Sequence, residues 1–225
     1  YWDLLTRWAG YLKDKGFDPE NQLCTDDFAG HLAHNTNLSL KAILALRSYA
    51  RLCEETGKKG PAAEYKRLAE RFARDWVTKA DDGDHFRLAF DRPGTWSQKY
   101  NLVWDRILGF GLFPPAVARK ELDYYLRTQL KYGLPLDNRG AYTKLDWLFW
   151  TATLADDAAT FARLTDPVFA FLVETPDRVP MTDWYWTDSG KKTGFQARPV
   201  VGGVLIKMLA DPALRAKWQS SAATR

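Results

Sequence analysis

The sequence predicts an all-α fold built from helical hairpins and arranged as an α/α toroid, here in partial form. Three observations carry that prediction. Apolar residues recur at a spacing near 3.6 in segment after segment, helical segments are joined alternately by short turns and long loops, and almost nothing alternates with the period of two that a strand requires. No fixed-period sequence repeat favours a solenoid. The uneven long loops fall at the same phase of the hairpin cycle, which suits a toroid whose pocket is walled by loops at one end. At 225 residues the length fits a single helical domain over 1–225.

The elements follow in order. Trp2, Leu5, Trp8 and Leu12 set an apolar stripe on a first helix, which Gly16 and Pro19 break. A second helix of about twenty residues begins near 35–37, with Asn35 or Thr36 as its cap. Its inner face carries Ala42, Ile43, Leu46, Tyr49, Ala50 and Cys53, and Gly57 suits the position just past its end. Pro61 opens a third helix whose buried face reads Tyr65, Leu68, Ala69, Phe72 and Trp76, so the two form a hairpin.

From 81 to 96 the character changes. Residues 85–90 read as a short strand or an extended loop before a turn at Pro93-Gly94. Helices follow at 98–108 and 115–130, the second with Ala118, Leu122, Tyr125 and Leu126 on one side. The Gly and Pro of 132–140 forbid a helix. Segments 144–155 and 157–174 read as helices, with Asp166-Pro167 splitting or kinking the latter. Segment 175–198 is a long polar, aromatic loop, too aromatic for disorder. Pro199 then opens a last helix bearing Val200, Val204, Leu205 and Met208, and the tail after Asp211 is expected to fray.

Composition excludes several classes. No run approaches the ~18 consecutive apolar residues needed to cross a bilayer, so no membrane partner is expected. The net charge is +4 with acids and bases interleaved, which argues against a nucleic-acid partner. Two cysteines make no disulfide framework and no Cys/His spacing suggests zinc; neither metal nor cofactor is expected. The ten Trp and ten Tyr either fill the core or wall a pocket for a small polar ligand. Because the chain opens at Tyr1 without Met and an apolar helical stripe begins at once, truncation is expected, with any signal peptide upstream.

The densest polar constellation is Asp26, Asp27, His31, His34, Asn35 and Asn37. Adjacent buried carboxylates repel, so one can keep its proton near neutral pH, as general acid–base hydrolysis requires. The same residues serve equally as helix caps with a structural histidine. Asp105 beside Arg106 reads as a pocket acid or an ion pair, and Asp146 as a pocket acid or a first-turn residue favoured by the helix dipole. Arg198 is placed to clamp a substrate carboxylate or to brace its loop. No glycine-rich phosphate cradle is present; Gly202-Gly203 lies inside a helical pattern and permits close packing. No Gly-x-Ser-x-Gly nucleophile motif occurs.

Six stretches, in order along nearly the whole chain, carry a family resemblance. They are Gln22 to His31, Asn35 to Ile43, Trp96 to Gly109, Tyr132 to Arg139, Tyr142 to Trp147, and Ala197 to Gly203. Through them the chain resembles the glutaminase A-like family. The resemblance implies an N-terminal β-rich domain followed by a six-hairpin, glycosidase-like toroid, of which this chain would supply the later hairpins. The missing N-terminal part would then be its partner, and the setting secreted or periplasmic.

The resemblance also implies hydrolysis of L-glutamine to L-glutamate and ammonia. On that reading one of Asp26 and Asp27 activates water, and the other or His31 protonates the leaving ammonia. Trp96, Asp105, Asp137, Tyr142, Asp146, Trp147 and Arg198 bind substrate, with Arg198 on its carboxylate. The alternatives are a glycoside hydrolase acting on an oligosaccharide, suggested by the toroid, paired acids and loop tryptophans, or a non-catalytic carbohydrate-binding module. The partner expected is thus a small molecule, glutamine or a sugar.

Overall fold

A computed structural model describes residues 1–20 and 27–223. Among the described residues it is mostly helical, with one small two-stranded sheet, as the spacing predicts. Its contacts group into two compact units: Tyr1–Ser97 with Gly109–Val117, and Gln98–Leu108 with Ala118–Arg225.

The first unit is organised by α1 (Trp2–Lys15), α2 (Thr36–Glu55) and α3 (Lys59–Lys79). Of the two candidate caps it is Asn35 that acts, its side chain accepting the Leu38 N–H at 2.8 Å. The six residues predicted for the inner face of α2 are all buried. Thr56 caps the C-terminus and Gly57 follows at φ 74, a left-handed backbone that glycine adopts without a Cβ penalty. The α2–α3 hairpin closes edge to face through Tyr49 and Tyr65, 4.9 Å between centroids. At its other end Trp76 Nε1 donates to the Thr36 carbonyl at 2.9 Å. Residues 85–90 form an extended loop held by isolated bridges, Asp81 to Phe86 and Asn35 to Ala89, and no strand.

The second unit holds α4 (Val103–Leu108), most of α5 (Pro115–Thr128), α6 (Leu145–Ala152), α7 (Ala158–Glu174), α8 (Ile206–Ala210) and α9 (Pro212–Ala223). Three expectations need correction. Segment 157–174 is not split at Asp166-Pro167: one helix, Ala158–Glu174, runs through it. Proline removes the N–H that the Arg163 carbonyl would accept, and Gln129 Nε2 takes its place at 2.9 Å, so the helix runs on.

The long loop also contains a strand. β2 (Trp184–Trp186) pairs antiparallel with β1 (Tyr142–Lys144), in the register Tyr142 to Trp186, Thr143 to Tyr185 and Lys144 to Trp184. Tyr185 is fully buried, stacked on Phe171 at 3.7 Å, with its hydroxyl on the Tyr132 carbonyl at 2.9 Å. Finally, Pro199 opens a 3₁₀ turn, Pro199–Leu205, before α8, and the tail continues as α9, capped by Asp211 Oδ1 on the Leu214 N–H.

A charged cluster where strand β1 runs into helix α6

In the second unit β1 passes without a break into α6, so Lys144 ends the strand and Asp146 lies in the first helical turn. Opposite residues of an antiparallel pair share a face, and the register therefore puts Tyr142, Lys144, Trp184 and Trp186 on one side of the sheet. Thr143 and Tyr185 occupy the other. The Tyr142 ring meets Trp184 and Trp186 edge to face at 5.9 and 5.6 Å.

Four charged side chains meet there. Lys144 Nζ donates to Asp146 Oδ1 at 3.1 Å and to Asp183 Oδ2. Arg198 grips the same Asp183 with both prongs, Nε on Oδ1 at 3.2 Å and Nη2 on Oδ2. Asp183 is wholly buried and Lys144 is 2% exposed, whereas Arg198 keeps 36% of its side chain in contact with solvent. Aromatic rings complete the enclosure. The Arg198 guanidinium lies 3.9 Å over Phe195, and Lys144 Nζ lies 5.3 Å over Trp147, which stacks on Tyr100 at 4.4 Å.

The two carboxyls are driven apart in acidity. Burial pushes Asp183 up, but the hydrogen bonds and charges of Arg198 and Lys144 outweigh it and hold the group below the usual carboxylate range. Asp146 goes the other way. Its burial dominates, Asp183 nearby adds to it, and Lys144 offsets only part. One carboxylate is thus kept ionised while its neighbour retains a proton to higher pH, the division of labour that acid–base sites use.

Close approach of the 3₁₀ turn Pro199–Leu205 to α6 fixes this geometry. A Cβ built on Gly203 would lie 2.8 Å from Asp146 Cβ and 3.0 Å from Trp150 Nε1, so only glycine fits. An apolar groove of about 660 Å³, lined in part by Trp104, Trp150, Leu209 and Trp218, holds none of the predicted site residues.

Of the residues the sequence singles out, Tyr142, Asp146, Trp147 and Arg198 come together here. Asp137 does not join them: its buried carboxylate takes Arg139 through Nε at 3.0 Å and Nη2 at 2.6 Å. Asp105 is buried on α4, while its neighbour Arg106 reaches Asp156 at 3.1 Å and the Leu154 carbonyl at 3.0 Å. In the first unit Trp96 is buried and His31 exposed. Asp26 lies outside the described residues; Asp27 opens a 3₁₀ turn, Asp27–Ala29, its side chain likewise outside them.

Lys144 and Asp183 are the residues that sequence reasoning missed. The signal for Asp183 was the run Trp184-Tyr185-Trp186, whose aromatic residues favour a strand beside it.

The first unit carries a comparable but open cluster. His34, at φ 61, approaches Asp18 Oδ1 through Nδ1 at 2.8 Å, and Lys79 Nζ donates to Asp18 Oδ2 at 2.5 Å. Burial raises Asp18, but Lys79 and His34 together bring it below its ordinary value.

Comparison with known proteins matches residues 1–208 to the glutaminase A six helical-hairpin domain. Glutaminase A of Aspergillus oryzae is 34% identical over 216 residues, 93% of this chain and 31% of the relative. A protein of Arthroderma benhamiae named as a probable glutaminase is 31% identical over 246 residues, 95% of this chain and 28% of the relative. The chain therefore spans less than a third of the length of either.

Proposed function

The chain belongs to the glutaminase A family, and from that membership we propose that it supplies the acid–base site of an enzyme hydrolysing L-glutamine to L-glutamate and ammonia. The observation that carries this reading is the unlike pair of carboxyls around Lys144. Asp183 is pinned as an anion by Lys144 and Arg198, and Asp146 is the group able to bring a proton.

Amide hydrolysis needs such a donor, because the nitrogen leaves as ammonia only after protonation. In this scheme water adds to the side-chain carbonyl carbon to give a neutral tetrahedral diol, Asp146 gives its proton to the departing nitrogen, the C–N bond breaks to release ammonia, and the proton left on the acyl oxygens returns to the Asp146 carboxylate. The solvent-facing edge of Arg198 offers N–H donors to the substrate carboxylate without releasing Asp183.

Asp146→Asn in the full-length protein keeps the side-chain volume and removes the proton. Ammonia release from glutamine is expected to fall by about 10²- to 10⁴-fold, with circular dichroism unchanged. Activity within twofold of wild type overturns the assignment. The aromatic face of Tyr142, Trp184 and Trp186, the last still 37% exposed, supports a second reading, sugar cleavage between carboxyls. An oligosaccharide panel run beside glutamine separates the two: reducing ends released without ammonia replace the first reading by the second.

A further inference from the structure

We propose that Gln98 is the positioning residue of the Lys144–Asp146 pair, acting as a bracket that fixes the angle at which β1 enters α6. This rests on the reading of those two residues as part of the reacting site.

The carboxamide of Gln98 is fully buried, and both of its ends are occupied. Its Nε2 lies 3.1 Å from each of three acceptors, the Leu134 and Pro135 carbonyls and Thr143 Oγ1. Its Oε1 accepts from Thr151 Oγ1 at 3.0 Å, and its backbone N–H donates to the Leu136 carbonyl at 2.8 Å. One side chain therefore ties three pieces of chain: the turn 132–136, the strand β1 and the helix α6.

The placement of the two threonines gives the bracket a consequence beyond stability. Thr143 immediately precedes Lys144 and points to the opposite face of the strand, so holding Thr143 sets the direction in which Lys144 leaves the sheet. Thr151 lies on α6 five residues, about 1.4 turns, beyond Asp146, so holding it sets the roll of the helix that carries the carboxyl. The 3.1 Å contact of Lys144 Nζ with Asp146 Oδ1 joins two elements that Gln98 grips from behind. A glutamine is suited to this. It donates two protons and accepts at the other end, which neither a glutamate nor a leucine of similar size can do.

Two residues after the bracket comes Tyr100, in the 3₁₀ turn Tyr100–Leu102, and its ring stacks on Trp147 beneath the Lys144 ammonium. The same anchor thus orders the floor of the cluster as well as its two charged members.

Replacing Gln98 itself would orphan several buried polar groups and invite unfolding, so the test cuts one arm at a time. Thr143→Val and Thr151→Val remove a hydroxyl at nearly constant volume, Thr143→Ser and Thr151→Ser retain it, and Thr165→Val serves as control. Thr165 is equally buried in the same unit, and its hydroxyl bonds only within α7, to the Phe161 carbonyl at 3.0 Å.

In the full-length protein both bracket valines are expected to lower kcat for glutamine by about tenfold with KM within twofold, as small misplacements of reacting groups do. The serines should restore the rate, and Thr165→Val should lower Tm without changing kcat. Valine variants that keep the wild-type kcat, or a kcat loss that Thr165→Val shares, overturn the bracket alone. Absence of ammonia release from the wild type overturns the functional reading beneath it as well.

Discussion

Asp18 in the first unit and Asp183 in the second are built alike and situated differently. Each carboxylate is held by two basic side chains, His34 and Lys79 in one case, Lys144 and Arg198 in the other. Both are held below the ordinary carboxylate range by those partners, against a burial effect of opposite sign. Asp18, however, is 33% exposed and Asp183 not at all. Water screens the charges around Asp18 more than those around the buried Asp183, so one pattern of contacts has two energetic meanings. In the open cluster the charges steady a surface. In the enclosed one each charge is indispensable to the others.

The largest effect that separates the two clusters is expected from Asp183→Asn. It leaves Lys144 buried without its ionised partner, and breaking one side of a buried pair costs about 3 to 5 kcal/mol. Urea unfolding of the full-length protein measures it, and a loss below about 1 kcal/mol would place Asp183 in the same class as Asp18. Gly203→Ala comes next. Its Cβ would stand 2.8 Å from Asp146 Cβ and force the turn carrying Arg198 off α6, an overpacking that costs about 1 to 3 kcal/mol. Circular dichroism melts report the stability loss, and ammonia release falls with it if the turn delivers Arg198 to Asp183. A variant with unchanged melt and rate shows that the site tolerates a wider gap than the packing suggests.

How much of this was legible in the sequence depends on distance along the chain. The α2–α3 hairpin was readable because its signals are local: Asn35 caps within three residues, Gly57 terminates, and the apolar period between them names the buried face. Arg198 and Asp146 were also visible as a charge at a loop end and an acid at a helix start. What joins them was not visible, because Lys144 meets Asp183 across 39 residues of sequence, and only the β1–β2 pairing, which sets Lys144 opposite Trp184, brings the neighbouring Asp183 within reach. A strand of three residues inside an aromatic loop gives almost no periodic signal. Pro167 misled for a related reason. Its local rule, that proline breaks a helix, was overridden by a distant side chain, Gln129, which takes up the carbonyl that proline leaves free.

The smallest effect tests the open cluster. Lys79→Met removes the ammonium that donates to Asp18 but keeps an unbranched stem against the Phe17 and Phe90 rings, over which that ammonium lies at 5.7 and 4.9 Å. An exposed pair of this kind contributes under about 1 kcal/mol, and less at 1 M salt. The sign with pH follows from the lowered pKa of Asp18. Its contribution is complete above the unfolded carboxylate value of about 3.9 and is lost as pH falls through the folded one. Lys79→Met should therefore unfold slightly more easily at neutral pH, and the gap to wild type should close as acid protonates Asp18 in both. Urea titrations near neutrality and near pH 3, each at low and high salt, follow that closure. A gap that exceeds about 2 kcal/mol and ignores salt would mean that Asp18 is as enclosed as Asp183 in the full-length protein, and the contrast between the two clusters would fail.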